Sequence, residues 1–307
     1  EMTSRQARCR QSYKIPDRKD VQKDCVAVKE VLVICGATAT GKTALAAECA
    51  KLLGSAVISA DSQLVYKGLD IGTAKPAKEE MLGVPHYMID VAGPKDEYSV
   101  SDYRDTALPI AEDLVSQGKV PVICGGTGFY INSLLFDYSY GGVPANEEVR
   151  SKYENLAAER GKEYVYDILK EKDGASAAKL HPNDLKRVIR ALEIAESGIK
   201  KSDIDDGSSP RFSYLAVAAD FPREQLYARI NERVDKMFEA GLVDEVQGLL
   251  ARGIGENCRC MQAIGYKEVL EGVKNGYSQS TMRDIIKQNT RRYAKRQITF
   301  FKKLPNL

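Results

Sequence analysis

The sequence predicts an α/β protein with a P-loop NTPase-like parallel sheet core, a helical insertion domain and C-terminal helices. Three observations predict it. The stretch "GATATGKT", Gly36 to Thr43, matches G-x-x-x-x-G-K-[ST] between an apolar run and a helical pattern, the context a phosphate-binding loop requires. Short apolar runs then alternate with helical patterns along the chain, which argues for a parallel sheet with helices on both faces. Between Asn146 and Ser202 the strand signals stop and only charged, 3.6-periodic segments remain.

Taken in order, "VLVIC" is the first strand, and "KTALAAECAKLLG" is a helix closed by Gly54. "SAVISAD" is a second strand. A helix around "ALPIAEDLVSQ" precedes the third, "VPVICGG" (Val120 to Gly126), and "YLAVAAD" (Tyr214 to Asp220) is a later one. The insertion reads as helices over "NEEVRSKYENLAAERG", "KEYVYDILKEKD" and "NDLKRVIRALEIAESG", returning through the polar loop "KKSDIDDGSSPRF". After Asp220 come "REQLYARINERVDKMFEAG", "LVDEVQGLLARG" and "TMRDIIKQNTRRYAKRQITFFKK", all helical. The expected organisation is a disordered leader or expression remnant over 1–28, a core over 29–140 and 212–307, and the insertion over 141–211.

Composition narrows the class. Of 307 residues, 43% are hydrophobic and 29% charged, an ordinary globular profile. Lys and Arg number 45 against 43 Asp and Glu, so the net charge of +2 names no polyanionic partner. Seven cysteines show no CxxC pair, and only His86 and His181 could join them, which argues against a zinc site. A reduced, cytoplasmic setting and a monomer are expected, with no membrane-spanning run.

In the loop, backbone N–H groups and the helix N-terminus suit phosphate oxygens; Lys42 adds a point charge and Thr43 is a ligand for Mg²⁺. Asp61 ends the second strand, at the edge where ligands of parallel sheets bind. As a residue it fits a general base, a water-mediated Mg²⁺ partner or the cap of a turn. The third strand ends in "GGTGFY", a second turn that brings backbone close to a ligand. A nucleotide kinase fits these facts, although no arginine-rich lid or adenine clamp is visible.

The stretch "ADSQLVYKGLDIGTAKP", Ala60 to Pro76, decides between them. It resembles the signature of tRNA dimethylallyltransferases, also called tRNA isopentenyltransferases. "GVPHYMID", "GGTGFY", "HPNDLKRVIRALEI", "MQAIGYKE" and "NTRRYAKRQITFF" follow in the family's order, from about Val31 to Lys303. The resemblance implies a P-loop core with a helical insertion that binds tRNA. It implies transfer of a dimethylallyl group from dimethylallyl diphosphate to N6 of the adenosine 3′ of the tRNA anticodon, with Mg²⁺. The anticodon stem-loop is then the macromolecular partner.

Carried onto this sequence, the resemblance makes Asp61 the general base, with Thr127 and Arg229 completing the catalytic set. Gly36, Ala37, Thr38, Ala39, Thr40, Gly41, Lys42 and Thr43 contact the diphosphate, together with Arg229. Arg229 and Arg233 share one helical face. The implied tRNA contacts are Asp61, Ser62, Gln63, Leu64, Thr127, Arg150, Lys186, Arg187, Val188, Ile189 and Arg190. They continue with Gln262, Ala263, Ile264, Gly265, Tyr266 and Lys267, then Lys295, Arg296, Gln297, Ile298, Thr299, Phe300, Phe301 and Lys302. Independently of the resemblance, Lys287 to Lys303 holds seven Lys/Arg and no acid, interleaved with Tyr293, Phe300 and Phe301. Such a segment suits phosphates and stacked bases of a looped RNA. A channel through the core, between the insertion and the C-terminal helices, would admit a base turned out of its stack. Phe300 stands where the family commonly has Trp, and the 198–211 loop departs from its pattern. The rival readings are an adenylate isopentenyltransferase acting on free nucleotides, a small-molecule kinase and a non-catalytic RNA-binding protein.

Overall fold

In the computed structural model, which describes residues 30–138, 143–204 and 209–307, five strands form one parallel sheet in the order β3-β2-β4-β1-β5. They are β1 (Glu30–Cys35), β2 (Val57–Ser59), β3 (His86–Tyr87), β4 (Val122–Gly125) and β5 (Ser213–Ala218). The expected leader over 1–28 and the expected boundary at 140/141 lie outside the described residues, as does the centre of the 198–211 loop.

The side-chain period of two sorts the strands onto two faces. Val31, Val33 and Cys35 of β1, Ile58 of β2 and Ile123 of β4 face the larger core, with Tyr103, Ala107, Ile131 and Leu134. These last residues come from α2 (Val100–Ser116) and α3 (Gly128–Leu135). Ile34, Val57, Val122 and Cys124 face the other side, where Ala46 and Ala50 of α1 (Lys42–Leu52) cover them. Both faces are therefore sealed, as a parallel sheet requires.

Elements that periodicity did not reveal are short or ambiguous. β3 spans two residues, too few to show any period. The run in α3, "GFYINSLL", is apolar nearly all round and cannot be told from a buried strand by pattern alone. α6 (Gly174–Ala177) is a single turn, and α10 (Tyr266–Asn275) follows an irregular segment that obscures its start.

Between the core strands, α4 (Glu147–Arg160), α5 (Lys162–Lys172), α6 and α7 (Leu185–Glu196) pack around their own apolar cluster, centred on Tyr153, Val165, Leu169, Val188 and Leu192. The chain leaves the core and returns to it side by side. Phe136 bridges Pro210, the Arg211 N–H donates to the Leu135 carbonyl at 2.7 Å, and Arg211 pairs with Asp137 at 2.6 Å. The last part of the chain forms α8 (Arg223–Glu239), α9 (Leu242–Ala251), α10 and α11 (Gln279–Phe301). α11 packs against α3, α8 and α10. Among the described residues no helix is long and apolar enough to cross a membrane.

Asp173 ties the helical segment together. Its carboxylate accepts from the Ser176 N–H at 3.0 Å and the Ser202 N–H at 3.1 Å. Burial by itself raises its pKa, but the hydrogen bonds from Ser176 and Ser202 outweigh it and bring the value from 3.8 to about 2. A depressed folded-state value gives stability that is complete above the unfolded value and is lost as pH falls through the folded one. Stability should therefore drop by about 2 kcal/mol between pH 3.8 and about 2 on this account. Asp173→Asn should remove that portion of the slope, read by urea denaturation across a pH series. An unchanged slope would show that the carboxylate is not the titrating group.

Candidate active site

The phosphate loop runs from β1 into α1 and is braced from within and without. The Thr40 hydroxyl donates to the Ala37 carbonyl at 2.9 Å, and the Lys42 ammonium donates to the same oxygen at 2.5 Å. From α8, the Arg229 guanidinium donates to the Ala39 carbonyl at 2.8 Å while lying over the Phe221 ring. Burial pushes the Lys42 ammonium down from its ordinary value, opposed by Cys124 and Asp61. A desolvated cation of this kind favours an arriving anion. The two thiols beneath it are not nucleophiles, because burial pushes Cys35 up to about 11 and Cys124 to about 12.

A cavity of about 350 Å³ opens from this loop, lined by Thr38, Lys42, Thr43, Asp61, Arg233 and Tyr293 among others. Asp61 lies just beyond β2, where one carboxylate oxygen accepts the Gln63 N–H at 2.9 Å. It thus caps a turn and lines the cavity at once, so the turn-cap reading does not compete with a role in the cavity. Across from it, the Thr127 hydroxyl accepts from the Ser62 N–H at 3.0 Å, and the Thr127 N–H donates to the Ala60 carbonyl at 3.1 Å. Arg229 does not line this cavity. Arg233, one turn further along α8, does, and donates to the Thr73 carbonyl at 3.2 Å. Burial pushes its guanidinium down, with Asp61 pulling the other way.

One face of α11 completes the wall. Ile286, Thr290, Tyr293 and Gln297 recur at helical spacing and line the cavity. Gln297 is buried: its amide oxygen accepts the Thr38 N–H at 2.9 Å, and its amide nitrogen donates to the Gly126 carbonyl at 2.9 Å. A Cβ at Gly126 would stand 2.2 Å from that nitrogen, so only glycine permits the contact. Tyr293, one turn earlier, interacts with Thr127 and Gln297, and burial, with Asp61, pushes its phenol up.

The loop "DIGTAKP" forms the opposite wall. The Glu245 carboxylate accepts the N–H groups of Asp70 and Ile71 at 2.9 Å each, Gly72 at 3.2 Å, and the Tyr266 hydroxyl at 2.5 Å. Lys75 pairs with Asp70 at 2.6 Å and Asp90 at 2.5 Å. Gly72 is required there, since a Cβ would sit 2.4 Å from the Tyr266 ring.

A second cavity, of about 910 Å³, lies between α2, α3 and the helical insertion. Arg104, Arg150, Arg190 and Arg259 line it with Tyr66, Tyr98, Phe129 and Tyr130, and Thr127 stands in its wall. Ser62 and Gln63 line both cavities. Where a single channel is expected between the insertion and the C-terminal helices, there are two spaces with the Ser62–Gln63 turn in the wall of both: α11 bounds one and the insertion bounds the other. Arg150 and Arg190 both bond the buried Glu193, which orients them toward this space. Among the described residues no group of three or more His, Cys, Asp or Glu is placed to cage a metal ion.

Several residues carried over as tRNA contacts are core residues instead. Val188 and Ile189 sit in the apolar cluster of the insertion, and Tyr266, Gly265 and Phe301 are buried in the main core, whereas Gln262, Ala263 and Ile264 line the cavity beside Asp61. Ranges copied whole from a motif include the inward face of each helix, which packing claims. Lys186, Arg187, Lys267, Lys295, Arg296, Thr299 and Lys302 are exposed, as are Gln262 and Ile298. Phe300 is half-buried against Phe129, whose ring is 61% exposed and meets it edge-on at 5.5 Å.

Residues 64–304 match the family model described as IPP transferase, and residues 29–96 match the model described as isopentenyl transferase. The chain belongs to the IPP transferase family. It is 44% identical to a tRNA dimethylallyltransferase of Acetivibrio thermocellus, covering 90% of each chain. It resembles the solved tRNA isopentenylpyrophosphate transferase of Bacillus halodurans, with 40% identity and a TM-score of 0.67 over 91% of this chain and 88% of that one. It also resembles a solved eukaryotic dimethylallyltransferase acting on tRNA, at 28% identity and a TM-score of 0.76, over 89% of this chain and 69% of that one.

In this IPP transferase, sequence reasoning gave no role to Arg233, Arg104, Arg259 or Phe129. Arg233 was visible only as the helical neighbour of Arg229, and the other three carried no signal until the cavity brought them together. Gln297 was grouped with RNA contacts, whereas its geometry makes it a link between two loops. Gln297→Leu should strand one buried donor and one buried acceptor and cost about 1–3 kcal/mol for each group left unpaired. Gln297→Glu keeps the acceptor for Thr38 but turns a carboxylate oxygen toward the Gly126 carbonyl and buries a charge, so it should cost at least as much. Chemical denaturation of the three proteins measures this; equal stabilities would remove the link.

Proposed function

We propose that this transferase moves the dimethylallyl group of dimethylallyl diphosphate to N6 of the adenosine 3′ of a tRNA anticodon, giving N6-isopentenyladenosine. The placement of the two cavities on either side of the Ser62–Gln63 turn, next to Asp61, supports this reading most directly. One space presents a phosphate loop and a desolvated lysine, and suits an anionic donor. The other presents arginines and aromatic rings, and suits the backbone and unstacked bases of an RNA loop.

The chemistry follows from the residues at the junction. The carbon–oxygen bond of the donor breaks, and the diphosphate leaves with the electron pair. The lone pair of N6 forms the new carbon–nitrogen bond, and the N6 proton passes to the Asp61 carboxylate. Lys42, the loop N–H groups and Arg233 receive the charge that develops on the diphosphate, while Arg229 holds the loop from outside. Thr127 fixes the Ser62 turn beside Asp61 and stands where the incoming base must pass. Mg²⁺ fits this donor set: the Thr43 hydroxyl would hold it, Asp61 would reach it through water, and the substrate phosphates would supply the remaining oxygens. When bound, the ion would neutralise the leaving diphosphate.

Residues 29–140 and 212–307 then act as the catalytic core and 141–211 as the tRNA-binding insertion. The exposed cations of α7 and α11, Lys186, Arg187, Lys295, Arg296 and Lys302, track phosphates. Arg292→Glu with Arg296→Glu should weaken tRNA binding and flatten its salt dependence. Binding that is unchanged, or equally salt-sensitive, would remove α11 from the interface.

The second reading, transfer to free AMP, is favoured only by the match of residues 29–96 to the isopentenyl transferase model. Incubation with labelled dimethylallyl diphosphate and either tRNA or AMP decides between them, with label expected in tRNA alone. Asp61→Asn should slow single-turnover transfer by about 10²- to 10⁴-fold while changing tRNA affinity far less. Transfer within about threefold of the parent, well short of what general-base loss costs, would exclude Asp61 as the base.

A further inference from the structure

Three residues lining the donor cavity carry a buried polar atom with no hydrogen-bond partner in the protein: the Gln63 amide oxygen, beyond the sheet edge, and two atoms carried by the strands themselves. Ser59 is 4% exposed, and its hydroxyl is unpaired. The Nε2 atom of His86 is also buried and unpaired. Both residues line the same cavity as Lys42, Thr43 and Asp61. Orphaned polar atoms are costly, and folded proteins seldom keep them where nothing else will pair with them.

The sheet places them beside the phosphate loop. Val57 packs against Ala46 and Ala50 of α1, and the period of two puts Ser59 on the same face. Thr43 lies on the α1 face that carries Ala46 and Ala50, one turn nearer the loop. His86 pairs with Val57 in the next strand over. The hydroxyl of Ser59 and the side chain of Thr43 thus look into one space from the sheet and from the helix.

His86 indicates what fills that space. Its Nδ1 lies 2.9 Å from the Val84 carbonyl, which can only accept, so Nδ1 carries the proton. In the neutral ring Nε2 is then an acceptor and needs a donor. Phosphate oxygens are acceptors and cannot satisfy it, and a hydrocarbon tail would leave both atoms stranded. Water on a cation donates strongly, and Mg²⁺ keeps several waters when phosphates bind it.

We propose that Ser59 and His86 form a polar wall that holds the hydration waters of a magnesium–diphosphate at the phosphate loop. The proposal rests on the donor-site reading above. It predicts that these two side chains contribute to pyrophosphate binding only when the metal is present.

Calorimetric titration of the full chain with inorganic pyrophosphate, with and without Mg²⁺, tests it. Ser59→Ala and His86→Asn, the latter keeping a donor for Val84, should each weaken magnesium–pyrophosphate binding by about tenfold. Metal-free pyrophosphate should bind within about twofold of the parent, since only the outer sphere of the ion is touched. The unliganded Ser59→Ala protein should melt at the same temperature or higher, because an unpaired buried hydroxyl has been removed. Unchanged magnesium–pyrophosphate affinity in both variants, or the same loss with and without the metal, overturns the proposal. A lowered melting temperature for Ser59→Ala would make the hydroxyl structural and overturn it as well. A parent that binds no magnesium–pyrophosphate overturns the donor-site reading itself.

Discussion

The amide of Gln297 joins three parts of the chain that are far apart in sequence. Its oxygen takes the Thr38 N–H of the phosphate loop and its nitrogen gives to the Gly126 carbonyl at the end of β4. Because the side chain projects from α11, the helix that bears the exposed cations cannot shift without disturbing both loops. Tyr293, one turn earlier, extends the contact to Thr127. An amide is suited to this position, since it is donor and acceptor in one planar group and carries no charge to desolvate.

Charge in the donor cavity is arranged in the opposite sense. Lys42 and Arg233 are both half-buried, and the desolvation pushes both down from their ordinary values. Asp61 offsets part of that cost for each. A diphosphate would offset more, so the unliganded site is electrostatically incomplete and its affinity for an anion follows directly from its burial. The same logic applies to the uncharged atoms of Ser59 and His86. The apolar faces of the sheet are satisfied by packing, whereas its carboxyl edge is left in need of a ligand.

The insertion solves a different problem. It presents Arg150 and Arg190 toward the second cavity, and both are steadied by the buried Glu193 carboxylate. Burial raises the pKa of that carboxyl, but the Asn146 N–H and the two arginines outweigh it and hold it below its ordinary value. The guanidinium groups are thereby fixed in direction before any phosphate arrives, which lowers the ordering cost of binding.

The sequence by itself determined the class of fold and the chemistry of its two ends. The phosphate loop, the strand ahead of Asp61 and the long charged helices are local patterns, written in neighbours that fold together. It also determined the family, because the motifs recur in order. Tertiary structure alone decided which members of each motif reach the site. Val188, Ile189, Tyr266 and Phe301 belong to matching ranges but face inward, since a helix must bury one side. Arg233 reaches the cavity and Arg229 the outside of the loop, a choice set by where α8 crosses the sheet. Arg104, Arg259 and Phe129 line one space together with Arg150 and Arg190 of the insertion. Such contacts join residues far apart in the chain, and no local periodicity can encode them.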